Sequence, residues 1–250
     1  MNNTLLNTLK AAREGLAERL DSMTLPAEIP HGDMPGDKVL ITGSHVAKAK
    51  TILPALVDKM IAALENKPLQ RCVLSVCGGS GVGKSETASL LGWYLGQLGA
   101  KSYILSGDNY PHRIPEYNDA ERLRMFRDTG LKGLVAAGLH TAQVSEQLHQ
   151  LMEEDKDADP ALCAEYGWLS AYQAAGRRGL KGYLGTPNEI DFDRVNSIIA
   201  QFQAGAERIS LKRMGRRPSE LWAETVDFSE TSVLIIEWTH SNNDHLAGVD

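Results

Sequence analysis

The sequence predicts an α/β protein, a parallel β-sheet flanked by helices, on three observations. Short apolar runs at 71–77, 101–106 and 232–237 alternate with stretches whose apolar residues recur at helical spacing, and such alternation implies parallel strands joined by right-handed crossovers. A glycine-rich octet, Gly78-Gly79-Ser80-Gly81-Val82-Gly83-Lys84-Ser85, lies between the first run and a helix-like segment over 85–98, with Glu86 beside it as a further candidate binding residue. The other two runs lead to acidic residues, Asp108 and Glu237, at the edge of a sheet where ligands of α/β proteins bind. A chain of 250 residues suits one such domain with attachments. The expected division is an N-terminal helical extension over 1–69 and a main domain over 70–250, interrupted by a helical insertion at 118–182.

Each element has a local signal. Leu5, Leu6, Leu9, Ala12, Leu16 and Leu20 form one face of an amphipathic helix over 4–22. The stretch from Leu25 to Gly36, with three prolines and two glycines, reads as a linker or surface loop. Ile52, Leu53, Leu56, Val57, Met60, Ile61 and Leu64 predict a helix from His45 to Glu65 with Ser44 as N-cap. The strand at 71–77 precedes the octet, a helix follows over 85–98, Gly99 ends it, and 101–106 is the second strand. Within 118–182, helical segments are expected near Ala120–Arg127, Leu131–Ala137, Thr141–Glu154 and Ala161–Ala175; this strandless stretch is either a cap over the substrate or a solvated decoration. A helix from Arg194 to Gln203, a basic segment 212–218 and the apolar strand 232–237 complete the chain.

Composition narrows the function. With 26 Lys+Arg against 32 Asp+Glu the net charge is −6, so nothing global favours a nucleic acid or an anionic membrane. No apolar run approaches the roughly 20 residues that span a bilayer, and the N-terminus lacks a signal-peptide core, so a cytoplasmic protein is expected. Cys72, Cys77 and Cys163 lack metal-ligand spacing and read as small, reduced core residues.

The octet is a complete G-x-x-x-x-G-K-S phosphate-binding loop. Its glycines allow a tight turn that aims backbone N–H groups at phosphates, Lys84 reaches the β and γ oxygens, and the Ser85 hydroxyl is suited to Mg²⁺. Glu237 ends a buried strand where such proteins hold Mg²⁺ or its water shell. Asp108 stands where a carboxylate takes the proton of an attacking hydroxyl, although Gly-Asp-Asn is also turn chemistry. Lys212, Arg213, Arg216 and Arg217, like His112 and Arg113, read equally well as anion contacts or as a solvated face.

Taken in order, the phosphate loop, Ser106-Gly107-Asp108-Asn109-Tyr110, the segment Gly185-Thr186-Pro187-Asn188-Glu189-Ile190-Asp191-Phe192-Asp193 and Ile235-Ile236-Glu237 resemble the uridine kinase and phosphoribulokinase family of P-loop kinases. The resemblance covers about 70 to 240, with 118–182 outside it. It implies a P-loop NTPase-type sheet and ATP-dependent phosphorylation of a small-molecule hydroxyl, with Mg²⁺. It also implies Asp108 as general base, Glu237 and Ser85 at the metal and Lys84 on the phosphates, with Asp191 and Asp193 shaping the substrate pocket; Tyr110, His112, Arg113 and Arg213, read from the residues themselves, are the further candidates for contact with the acceptor. The family usually continues its last motif Glu-Gly, whereas Trp238-Thr239-His240 follows here. The family's later strands and Arg-bearing lid have no counterpart up to Asp250; the expectation is either a truncated chain or a sheet completed by the N-terminal extension or by another chain, in a homo-oligomer or as a completing partner. The competing expectation is a nucleotide-binding regulatory or scaffold protein without phosphotransfer. A GTPase is disfavoured because no Asn-Lys-x-Asp segment follows the last strand.

Overall fold

The computed structural model describes residues 4–250; the first three residues of the expected N-terminal extension lie outside them. The chain forms two compact units, one of residues up to Pro111 together with Asp191–Asp250, the other His112–Ile190.

The first unit begins with helices α1 (Leu5–Arg13) and α2 (Leu16–Ser22). They are two helices rather than the one expected because Gly15, at φ 65°, adopts the left-handed conformation between them. Helix α3 (Gly43–Leu64) starts at Thr42, whose amide donates to His45 Nδ1 at 3.3 Å, so Thr42 rather than Ser44 caps it. Strand β1 (Cys72–Val76) leads through the glycine loop into α4 (Lys84–Gln97), followed by β2 (Ser102–Ser106). After the second unit come α8 (Phe192–Gln203), β3 (Arg208–Met214), β4 (Leu221–Asp227) and β5 (Val233–Glu237).

Strands β1, β5 and β2 form a parallel sheet in that order. The N-terminal helices do not stand apart from it: Leu9, Leu16, Leu53 and Met60 share one core with Leu74, Leu90, Leu95 and Ile235. Burial of this continuous apolar surface holds α1–α3 against the sheet layer. Strands β3 and β4 pair antiparallel as a separate hairpin, which replaces the basic segment read from the sequence. Periodicity concealed it because the inward position of β3 that follows Ile209 and Leu211 is the charged Arg213, and β4 is almost wholly exposed. Cys72 is buried, with its thiol pushed up to about 12 by that burial, whereas Cys77 is exposed and not a core residue.

The second unit is helical, with α5 (Pro115–Ala136), α6 (Ala142–Glu153) and α7 (Leu169–Lys181). The two short segments expected between 120 and 137 are one continuous helix. Phe126, Leu134, Leu148, Leu169 and Tyr172 form its core. Helices α5 and α7 approach closely because glycines on each leave room for side chains of the other; a Cβ on Gly176 would lie 2.7 Å from the Phe126 ring. Among the described residues no helix is long and apolar enough to cross a membrane.

Candidate active site

The parallel register aligns three strand ends. Glu237 lies opposite Val76 on one side and Ser106 on the other. One edge therefore presents the glycine loop after β1, the last residue of β5, and the turn after β2. That turn, Gly107–Asn109, is a single 3-10 turn in which Asp108 is exposed while its neighbours are buried. The sheet thus delivers Asp108 and Glu237 beside the loop without any long-range coincidence of flexible segments.

Within the loop, Gly81 and Gly83 have φ of 75° and 85°, values that other residues adopt only at a cost of roughly 1–2 kcal/mol. Gly83 caps α4, so the helix starts at Lys84 with its first N–H groups directed at the loop. Helix α3 supports the loop from behind. Lys48 Nζ donates to the Val82 carbonyl at 3.1 Å, and a Cβ on Gly83 would meet His45 Nε2 at 2.9 Å. Lys84 Nζ donates to the Gly79 carbonyl at 3.1 Å, holding the ammonium across the loop.

Glu237 is 4% exposed. Burial pushes its carboxyl up to about 7, the negative field of Asp108 adds to this, and Lys84 with a hydrogen bond from Ser85 opposes it. A buried carboxylate beside a serine hydroxyl is the hard-oxygen set that suits Mg²⁺, which takes one or two protein carboxylates and completes its shell with phosphate oxygens and water. The residues present fit that ion. The linkage has a definite sign: the folded protein retains a proton that the unfolded chain releases near 4.5. Stability of the ligand-free protein is therefore expected to fall as pH rises from about 4.5 to about 7, by up to about 3 kcal/mol from this group. Urea unfolding at pH 5 and pH 8 checks this, and Glu237→Gln should lose that component; an equal pH dependence in both proteins would refute it.

Trp238 occupies the position where the resembled family has glycine. Its side chain is 1% exposed and packs over Gly107 and Phe192. The requirement for a small residue has moved across the sheet edge, since a Cβ on Gly107 would fall well inside the van der Waals radius of the Trp238 ring. Gly107→Ala is accordingly expected to destabilise by about 1–3 kcal/mol through overpacking. Thermal unfolding measures it, and an unshifted midpoint would show that the ring yields freely.

The other residues expected around an acceptor fall into three groups. Tyr110 and Arg213 are internal, not available to a ligand: Tyr110 is fully buried, its phenol pushed up by that burial, and Arg213 is a buried ion-pair member on β3. Asp191 Oδ1 accepts from the Arg194 amide at 3.0 Å and so N-caps α8. His112 and Arg113 belong to the second unit, where His112 Nε2 lies 3.0 Å from the Pro187 carbonyl and Arg113 donates to Tyr183 at 3.0 Å. In the same unit Glu189, fully buried, accepts from Asn118, Arg122 and the Gly185 amide. It therefore organises the turn that the kinase-like segment 185–193 begins with.

Sequence reading missed Asp33, which lies in the stretch taken for a linker. Its side chain is 8% exposed. Oδ1 accepts from the Ser106 amide (2.7 Å) and Asn109 Nδ2 (3.1 Å), and Oδ2 from the Tyr103 hydroxyl (2.8 Å) and Arg213 Nη1 (2.7 Å). Burial pushes the Asp33 carboxyl upward, and Arg213 with the other donors pulls it back. Nothing in a run of prolines and glycines signals a buried carboxylate.

Comparison with known proteins gives a specific likeness. Over 195 residues the chain is 37% identical to the bifunctional alpha-galactosidase/sucrose kinase AgaSK of Mediterraneibacter gnavus. The match takes in 78% of this chain but only 16% of that protein. No protein-family model and no solved structure matches the chain.

Proposed function

We propose that the chain is a P-loop kinase that transfers the γ-phosphoryl group of Mg·ATP to a hydroxyl of a small carbohydrate. The observation that carries this reading is the register that sets Glu237 between the ends of β1 and β2, bringing a phosphate-type loop, a metal-suited carboxylate and an exposed carboxylate to one edge. Phosphoryl transfer needs chiefly positioning and charge neutralisation, and these groups supply both.

In this reading residues 78–85 hold the β and γ phosphates through backbone N–H groups and Lys84, and Ser85 and Glu237 hold Mg²⁺. When bound, Mg²⁺ neutralises charge on the β and γ oxygens. Asp108 accepts the proton of the acceptor hydroxyl as its oxygen bonds to the γ phosphorus and the bond to the β–γ bridging oxygen breaks, releasing ADP. The sucrose kinase named in the relative favours a sugar acceptor over a nucleoside; the uridine kinase and phosphoribulokinase likeness describes the motifs rather than the acceptor.

ADP release should be measured with sucrose, glucose, fructose and uridine, with Lys84→Ala as the blank. Release stimulated by a sugar and absent in the blank is the expected result. No stimulation by any acceptor in a panel of hydroxylated metabolites would refute phosphotransfer.

A further inference from the structure

We propose that Asp33, from the proline- and glycine-rich segment before α3, is the positioning residue that sets the orientation of Asp108. The inference rests on the kinase reading of the site, and its geometry is independent of the phosphate loop.

Asp33 grips both flanks of the Asp108 turn with one oxygen. Oδ1 takes the amide of Ser106, two residues before Asp108, and the side-chain amide of Asn109, one residue after it. Asn109 cannot be turned the other way, because its Oδ1 accepts from the Met214 amide at 2.9 Å. The second oxygen is fixed by Tyr103 and Arg213, and Arg213 Nη2 also donates to the Tyr103 hydroxyl at 2.8 Å, which commits that hydroxyl to donating toward Asp33. All four partners of Asp33 are therefore donors. Only an ionised carboxylate accepts four hydrogen bonds through two oxygens; asparagine in its place presents two donors toward donors. Three separate elements, β2, the 3-10 turn and β3, are thereby tied to one side chain.

Asp108 itself is exposed, so its own contacts do little to fix it. Its backbone is held instead, by Trp238 over Gly107 on one side and Asp33 through Ser106 and Asn109 on the other. A general base must lie within hydrogen-bond reach of the proton it takes, and a displacement of about 1 Å can cost on the order of 10²-fold.

The test is a double-mutant cycle on acceptor-stimulated ADP release, with Mg·ADP affinity measured alongside. Asp33→Asn is expected to lower kcat roughly tenfold while Mg·ADP affinity stays within about twofold. In an Asp108→Asn background the same substitution should change kcat by less than about twofold, because a positioning residue has nothing left to position. Full kcat in Asp33→Asn, or an undiminished loss in the Asp108→Asn background, overturns the proposal. If Asp33→Asn does not fold, Asn109→Ala keeps the Asp33–Arg213 pair, removes the bond beside Asp108 and carries the same cycle with the same outcomes. If the wild-type protein shows no acceptor-stimulated release, the kinase reading fails on its own. Hydrogen exchange then decides the hold on the turn: amides 106–110 should exchange at least about tenfold faster in Asp33→Asn or Asn109→Ala, and unchanged exchange overturns it.

Discussion

Asp108→Asn is expected to bind Mg·ATP with near wild-type affinity and to lose about 10²-fold or more in turnover, the contribution typical of a general base. The substitution keeps shape and hydrogen-bonding reach but removes the ability to take a proton. Because Asp108 is exposed and its neighbours Gly107 and Asn109 hold the turn, the variant should fold normally. Steady-state ADP release combined with calorimetric titration of Mg·ADP separates the steps. Retention of full turnover would remove Asp108 from the base role. A loss confined to Mg²⁺ affinity and relieved by excess Mg²⁺ would instead place its carboxylate on the metal.

Arg213→Ala is expected to destabilise the protein by about 3–5 kcal/mol, the range for removing one partner of a buried ion pair. The guanidinium is 6% exposed and bonds Asp33 and Tyr103, with Glu224 accepting from Nε at 3.0 Å. Its loss leaves the Asp33 carboxylate buried without a countercharge, which pushes that carboxyl further up. The deficit should consequently shrink as pH falls and Asp33 takes a proton. Thermal unfolding should show a midpoint lower by roughly 10 °C at neutral pH. A substrate contact would behave differently, with unchanged stability and a raised acceptor KM, so the outcome decides between the internal position seen in the structure and the ligand contact that a basic segment suggests.

The elements legible from the sequence were those whose signal is local. The β1–loop–α4 unit is encoded by a β-branched run, obligatory glycines and a helical face, and the structure places it at 72–97. Strand β5 was visible because its first four residues are apolar, and all five of its residues are buried. The parallel sheet followed from alternation. By contrast, the β3–β4 hairpin is stabilised by pairing and by a buried charge rather than by a pattern of apolar residues, so period-based reading found only basic residues there. The break at Gly15 was also invisible, since the apolar spacing of 4–22 runs through it and only the backbone conformation stops the helix.

Roles divide in the same way. The loop residues, Ser85 and Lys84 among them, and the carboxylates Asp108 after β2 and Glu237 at the end of β5 are candidates the sequence offers because each residue type answers a chemical need at a fixed sequence spacing. The network beside the Asp108 turn could not be named in advance, because Asp33 and Arg213 are far in the chain from Tyr103 and Asn109 and meet them only when β2, β3 and the segment before α3 pack together. The sequence by itself determined the phosphate-type loop, the three apolar strands of the parallel sheet and the choice of Asp108 and Glu237 as candidates. Only the tertiary structure decided that the apparent linker carries a buried carboxylate, that Trp238 and Gly107 exchange the need for space, and that Arg213 is internal. The reason is physical: local propensity fixes which backbone a residue prefers, whereas burial and hydrogen-bond partnership depend on surfaces that the rest of the chain brings to it.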